Sequence, residues 1–164
     1  MGTDQDLVPR WLDDDEMVSW RAFVGAINLV SRAIDRDLRI ESNLTNDDYE
    51  VLVSLSESPE RRIRLGELAA GLRVPKAHLT YRIGRMEKAG LVERVDCPDD
   101  GRGVFAVLTD DGMHRLEAAA PGHVESVRRH VLDHLTSEQL EALGEAMTAV
   151  LNGHDGVECS ELDA

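Results

Sequence analysis

Between residues 74 and 86 an apolar set, Val74, Leu79, Ile83 and Met86, recurs at helical spacing and leaves Lys76, Ala77, His78, Thr80, Tyr81 and Arg85 on the other side. Lysine and imidazole N–H groups donate to the acceptors on base edges, while Thr80 and Tyr81 carry hydroxyls that reach a base or a phosphate. Ala77 keeps the surface low enough for close approach. Arg85 lies one turn further on, where a guanidinium suits a phosphate oxygen. A second cation of the same kind, Arg102, stands between Gly101 and Gly103 in a thin turn, and Asp100 is placed to orient it. Such an arginine fits a narrow minor groove, where negative potential concentrates. Arg64 adds a further donor at the start of the same region. These residue types also occur on ordinary solvated helix faces and turns, so the elements that carry them decide the reading.

Charge distribution favours the nucleic-acid reading although the whole chain has a net charge of −14. From Arg61 to Phe105 there are ten Lys/Arg against six Asp/Glu, a net of +4. The remaining residues carry eight basic against 26 acidic side chains, a net of −18. Phosphate contact depends on such a local basic island and not on total charge. A hydrophobic content of 42% argues against wholesale disorder in the 164 residues. No apolar run approaches the roughly 20 residues of a membrane span, and the acidic start has no signal-peptide pattern, so a cytoplasmic protein without a membrane partner is expected.

The elements follow from periodicity and punctuation. Residues 1–15 read as a loose tail ending in acids. From Met17 a stripe of Trp20, Phe23, Val24, Ile27, Val30, Ile34 and Leu38 predicts a long helix over 16–42. That helix has little to pack on unless another helix, from a second subunit, covers it. Thr45 caps a second helix that Ser58-Pro59 stops. Leu65 to Leu72 is a short helix. After a turn, Pro75 takes the first position of another, which ends at Gly90 in a left-handed stop. Leu91 to Val95 and Gly103 to Leu108 are β-prone and flank an Asp-Gly turn, which predicts a hairpin. Thr109 opens a long helix reaching Leu135, which Pro121-Gly122 should bend or interrupt. Thr136 to Gln139 is a capping box for a last helix, with Leu140, Leu143, Met147, Val150 and Leu151 on one face, before a polar tail over 153–164.

The order helix, short helix, turn, helix, hairpin is the layout of a winged helix-turn-helix, here over 45–109. Residues 65–112 resemble the multiple-antibiotic-resistance regulator (MarR) family of bacterial transcription factors. The resemblance rests on Leu65-Gly66-Glu67-Leu68-Ala69, on Leu79-Thr80 through Met86-Glu87-Lys88-Ala89-Gly90-Leu91-Val92, on Asp100-Gly101-Arg102-Gly103, and on Leu108-Thr109-Asp110-Asp111-Gly112. It implies a homodimer held by the 16–42 helix and the 110–152 helices, and a palindromic double-stranded operator with one recognition helix per half-site. It further implies repression relieved by a small effector. Family roles at the wing map onto Arg102, and those of the recognition helix onto Lys76, His78, Thr80 and Tyr81. Pro75 and His78 depart from the small hydroxyl residues common there, so base preference does not carry over.

Family ligands often sit between the dimerisation helices and the DNA-binding lobe. Trp20, Arg21 and Asn28 lie on the first helix, with Arg21 placed to pair with an anionic aromatic or small organic acid and Trp20 to cover it. The alternative makes Trp20 core and Arg21 a surface ion pair. His123, His130 and His134 include an i, i+4 pair, but a zinc site needs further ligands that the sequence does not place, so no metal and no cofactor is expected. Cys97 and Cys159 form no CxxC; Cys97, near the wing, could sense oxidants if its thiolate were stabilised. No nucleophile and base stand at catalytic spacing, so no enzyme is expected. The expected fold is mostly α with a small β-hairpin wing (α+β). The rival classes are a winged-helix module for protein interaction and a metal- or redox-sensing regulator.

Overall fold

The computed structural model describes residues 9–97 and 103–154. Asp13 caps the first helix, α1 (Asp14–Ser42), in a reciprocal box with Glu16: the Glu16 N–H donates to Asp13 Oδ1 at 2.8 Å and the Asp13 N–H to Glu16 Oε2 at 3.1 Å. The cap draws Asp14 and Asp15 into the helix from the segment that composition assigns to the tail, because acids in a first turn meet its positive end. Asn43, at φ 53°, ends it in the left-handed conformation.

Thr45 and Asp48 form the same kind of box for α2 (Asn46–Glu57). A single 3₁₀ turn (Pro59–Arg61) leads to β1 (Arg62–Arg64), then α3 (Leu65–Gly71) and α4 (Lys76–Lys88). Pro75 is the N-cap of α4 (φ −57°, ψ 138°) and not its first helical residue; the ring fixes φ at a value that extended backbone accepts equally well. Gly90, at φ +74°, closes α4 with the expected left-handed stop. The hairpin follows as β2 (Val92–Asp96) and β3 (Val104–Leu108). Its sheet has three strands in the order β1-β3-β2, all antiparallel, with Ile63 and Arg94 both opposite Ala106. The third strand is not in the sequence reading: three residues, Arg62-Ile63-Arg64, are too few to show a period of two.

Leu52, Leu55, Leu68, Leu79, Ile83, Met86, Val92 and Ala106 are buried together and bind the helices to the sheet. On the other side, α5 (Asp110–His130) seats its first turn on the bend after α4. There the Thr109 N–H donates to the Leu91 carbonyl at 3.2 Å, and the Thr109 hydroxyl to the Gly90 carbonyl at 2.7 Å. A Cβ on Gly112 would stand 2.1 Å from the Leu91 oxygen, so only glycine allows the approach.

Helix α5 runs uninterrupted through Pro121, where the sequence predicts a bend or an interruption. Pro121 and Glu117, whose carbonyl loses its donor, are both exposed, so water can satisfy that carbonyl. The helix stops at His130, and a 3₁₀ turn (Leu132–His134) occupies the segment expected to prolong it. The last helix is α6 (Ser137–Asn152), capped by Thr136 and Gln139 as its sequence indicates. Helix α1 packs along α5 through buried Asp37 and Leu38. Trp20, Ile27 and Leu29 of α1 and Leu140, Leu143, Val150 and Leu151 of α6 stay exposed, and α6 has no buried residue. Among the described residues no helix is long and apolar enough to cross a membrane.

Candidate nucleic-acid interface

Leu79, Ile83 and Met86, each no more than 1% exposed, hold α4 by one face. The opposite face therefore presents Lys76, Ala77, His78, Thr80 and Tyr81 to solvent, as the spacing predicts. Tyr81 is 78% exposed, which is high for an aromatic residue and leaves its ring and hydroxyl available. Thr80 donates its hydroxyl to the Lys76 carbonyl at 2.8 Å, so its oxygen faces outward chiefly as an acceptor.

Arg85 faces outward as expected, but it is also paired with a carboxylate of α2. Its Nη2 is hydrogen-bonded to Oδ1 of Asp48, a carboxylate only 3% exposed, while the Arg85 side chain is 49% exposed. One turn earlier Arg82 pairs with Asp47 in the same manner. Burial alone would raise the Asp48 carboxyl, but hydrogen bonds from Arg85 and from the Thr45 hydroxyl and backbone outweigh it and hold the group below the usual carboxylate range. The same bond to Asp48 raises the Arg85 guanidinium above its ordinary value. Sequence reasoning missed Asp47, Asp48 and Arg82. The only signal was two adjacent acids opening one helix and two arginines three apart on another, and nothing local states that they meet.

Arg64 lies on β1 at the base of the wing. Its Nη2 donates to the Cys97 sulfur at 3.1 Å, and its guanidinium stands 5.4 Å from the centre of the Phe105 ring, on which Arg62 also stacks at 5.2 Å. Arg94 of β2 clasps Glu87 of α4 at 2.6 Å, tying wing to helix. The expected wing residues Asp100 and Arg102 lie outside the described residues.

The structure does not gather Trp20, Arg21 and Asn28 around one cavity. Trp20 is 54% exposed and tilts against Phe23 at 5.9 Å, so it is not a core residue of this chain. Arg21 is exposed and has no ion partner among the described residues. Asn28 turns its amide onto the Val24 carbonyl at 2.8 Å and borders a shallow groove with Arg32 and Arg36. A larger cleft, of about 690 Å³, opens between α1, the start of α2 and α4, bordered by Arg32, Asp35, Arg39, His78, Tyr81 and Arg82. Its walls come from three separate segments, so no local pattern announces it.

The histidines are also dispersed. His130 Nε2 is 2.9 Å from Asp37 Oδ2, and His123 stacks on Tyr49 with ring centres 4.2 Å apart. Among the described residues no three His, Cys, Asp or Glu side chains gather as a metal site. Cys97 is buried and receives the Arg64 bond.

A short helix, a tight turn through Arg73 at φ 52°, an anchored second helix and an antiparallel hairpin define a winged helix-turn-helix. Comparison with known proteins agrees. Residues 44–104 match the MarR family. A MarR family transcriptional regulator from Streptomyces coelicolor, solved in complex with DNA, is 43% identical with a TM-score of 0.85, over 87% of this chain and 93% of that one. AbsC, a second MarR family regulator from that organism, is 41% identical with a TM-score of 0.85, over 90% and 99% of the two chains. The transcriptional regulator HosA of Escherichia coli O111:H- is 32% identical, over 67% of this chain and 79% of its own. The chain belongs to the MarR family of transcriptional regulators.

Proposed function

We propose that this chain is a sequence-specific DNA-binding regulator that works as a homodimer, inserting one α4 helix per subunit into successive major grooves of a palindromic operator. The observation that carries the reading is the solvent-facing Lys76, His78 and Tyr81 surface on a helix whose other face is locked into the core. A 43% identical regulator solved in complex with DNA supports it. The uncovered apolar faces of α1 and α6 support a dimer, because faces of this size are rarely left in water. Paired recognition helices then reach sites roughly 34–36 Å apart. Arg102 of the wing enters the adjacent minor groove with Asp100 orienting it, and Arg64 steadies the base of the wing.

The regulator acts as a repressor released by a small molecule. An organic anion in the cleft between α1, α2 and α4 would bear directly on the reading helix. Arg21, exposed on α1, is a second contact for such an anion, separate from Trp20 and Asn28, tested by whether Arg21→Ala abolishes induction while DNA binding persists.

The deciding experiment is a fluorescence anisotropy titration against the intergenic duplex upstream of the protein's own gene and against a scrambled duplex, from about 50 to 200 mM salt. A specific complex that weakens steeply with salt is expected. Equal or salt-insensitive binding to both duplexes would overturn the proposal in favour of a protein-interaction module.

A further inference from the structure

We propose that Asp48 and Arg85 are a positioning pair that sets how α4 presents its reading face, with Arg85 committed to Asp48 and not to a DNA phosphate. The inference rests on the DNA-reading role proposed above. Both oxygens of the Asp48 carboxylate are spoken for by different elements. Oδ2 accepts the Thr45 N–H at 3.2 Å and so completes the cap of α2, while Oδ1 accepts Arg85 of α4. In return the Asp48 N–H donates to the Thr45 hydroxyl at 3.0 Å, which leaves the acid no freedom to follow a moving arginine. The anchor is therefore the fixed end and the guanidinium the tethered one.

The tether is well placed to aim the helix. Arg85 stands one turn beyond Tyr81 and two beyond Ala77, on the turn that follows the reading surface. Beside it, Arg82, whose side chain is only 14% exposed, makes a parallel bond to Asp47. Two adjacent acids thus hold two arginines three residues apart, and a helix gripped at i and i+3 cannot roll about its axis. The start of α2 is itself secured to α1, since the Asn46 N–H donates to Asp35 Oδ1 at 3.0 Å and Arg39 holds the other oxygen of Asp35 at 2.6 Å. The reading helix is therefore indexed, through Asp48, to α1. The joint is one bond from Arg85 Nη2 to Asp48 Oδ1, and a planar guanidinium fixes its direction as well as its charge where an ammonium does not.

The two roles open to Arg85 predict opposite results. A phosphate contact adds to the salt dependence of binding, and its loss lowers the log–log slope by about 0.9. Asp48 would then only repel DNA, so Asp48→Asn would tighten binding. If the pair positions α4, Asp48→Asn weakens binding to the preferred duplex at least tenfold despite the lost negative charge, and leaves affinity for a scrambled duplex unchanged or higher. Arg85→Gln likewise loses discrimination at an unchanged salt slope, and Arg85→Lys fails to restore it.

The experiment is the same anisotropy titration on the full-length chain and these three variants, with circular dichroism and thermal unfolding recorded on each. Should Asp48→Asn not fold, Arg85→Lys carries the test, because lysine retains a phosphate contact but not the directed Nη2–Oδ1 bond of the planar guanidinium. A lower slope for Arg85→Gln, or full discrimination by Arg85→Lys, would overturn the pairing role. Wild-type protein that discriminates no duplex would overturn the DNA reading, and the pair with it. A discriminating wild type matched by an equally discriminating Asp48→Asn would overturn the pair alone.

Discussion

His123 and Gly112 show how much a single position can decide. His123 has a buried Nδ1 with no hydrogen-bond partner among the described residues, and burial pushes its pKa below the ordinary 6.5. The folded state thus favours the neutral ring. As pH falls below 6.5 the unfolded chain takes up a proton that the folded chain resists, so this group's contribution to stability is lost between 6.5 and its lower folded value. Urea unfolding from pH 7.5 to 5.5 should show that loss, and His123→Phe should flatten it. At Gly112 the backbone of α5 lies against the Leu91 carbonyl with no room for a methyl group. Gly112→Ala should cost about 1–3 kcal/mol in denaturant unfolding, the usual range for overpacking.

Among elements, the joint between α1 and α5 is polar where most of the core is not. Asp37 is buried and accepts hydrogen bonds from Arg36 at 2.8 Å, from His130 at 2.9 Å and from the buried Ser126 hydroxyl at 2.9 Å. These bonds, Arg36's foremost, hold its carboxyl well below the usual range. Replacing it by leucine strands the serine and the histidine, and Asp37→Leu should lose about 3 kcal/mol. Thermal unfolding against Asp37→Asn checks this, since the amide keeps part of the network.

The elements also mark where sequence reading stops. Thr45, Thr136 and Gly90 act within four residues of the groups they satisfy, so their caps and stops are legible as written. The reading face of α4 is legible because Leu79, Ile83 and Met86 fix its back. Strand β1 is not, because its pairing with β3 spans more than forty residues. Arg85 looks like a free cation until Asp48, 37 residues away in sequence, comes into contact with it. Periodicity reports which face is buried, not what a charged side chain meets across space.

For the molecule as a whole, the exposed apolar stripes on α1 and α6 are the surface that the proposed dimer would cover. Light scattering should return a mass near twice 18.2 kDa. A charge introduced on α6, as in Leu143→Asp, should shift that mass toward the monomer and weaken operator binding far more than it lowers the helix signal. A panel of small aromatic carboxylates in a thermal-shift screen tests the proposed effector, since a ligand held at 100 times its Kd stabilises the native state by roughly 2.7 kcal/mol.

Helix α5 carries a consequence for the DNA itself. It is unbroken for 21 residues, about 31 Å at 1.5 Å per residue, and its first turn is bolted to the bend at the end of α4. In the proposed dimer a rod of that length, running from α4 toward the apolar faces of α1 and α6, would work as a ruler. One base pair inserted between operator half-sites moves the second site by about 3.4 Å and turns it by roughly a tenth of a revolution. The rod cannot follow both displacements, so spacing should be read as strictly as the bases are.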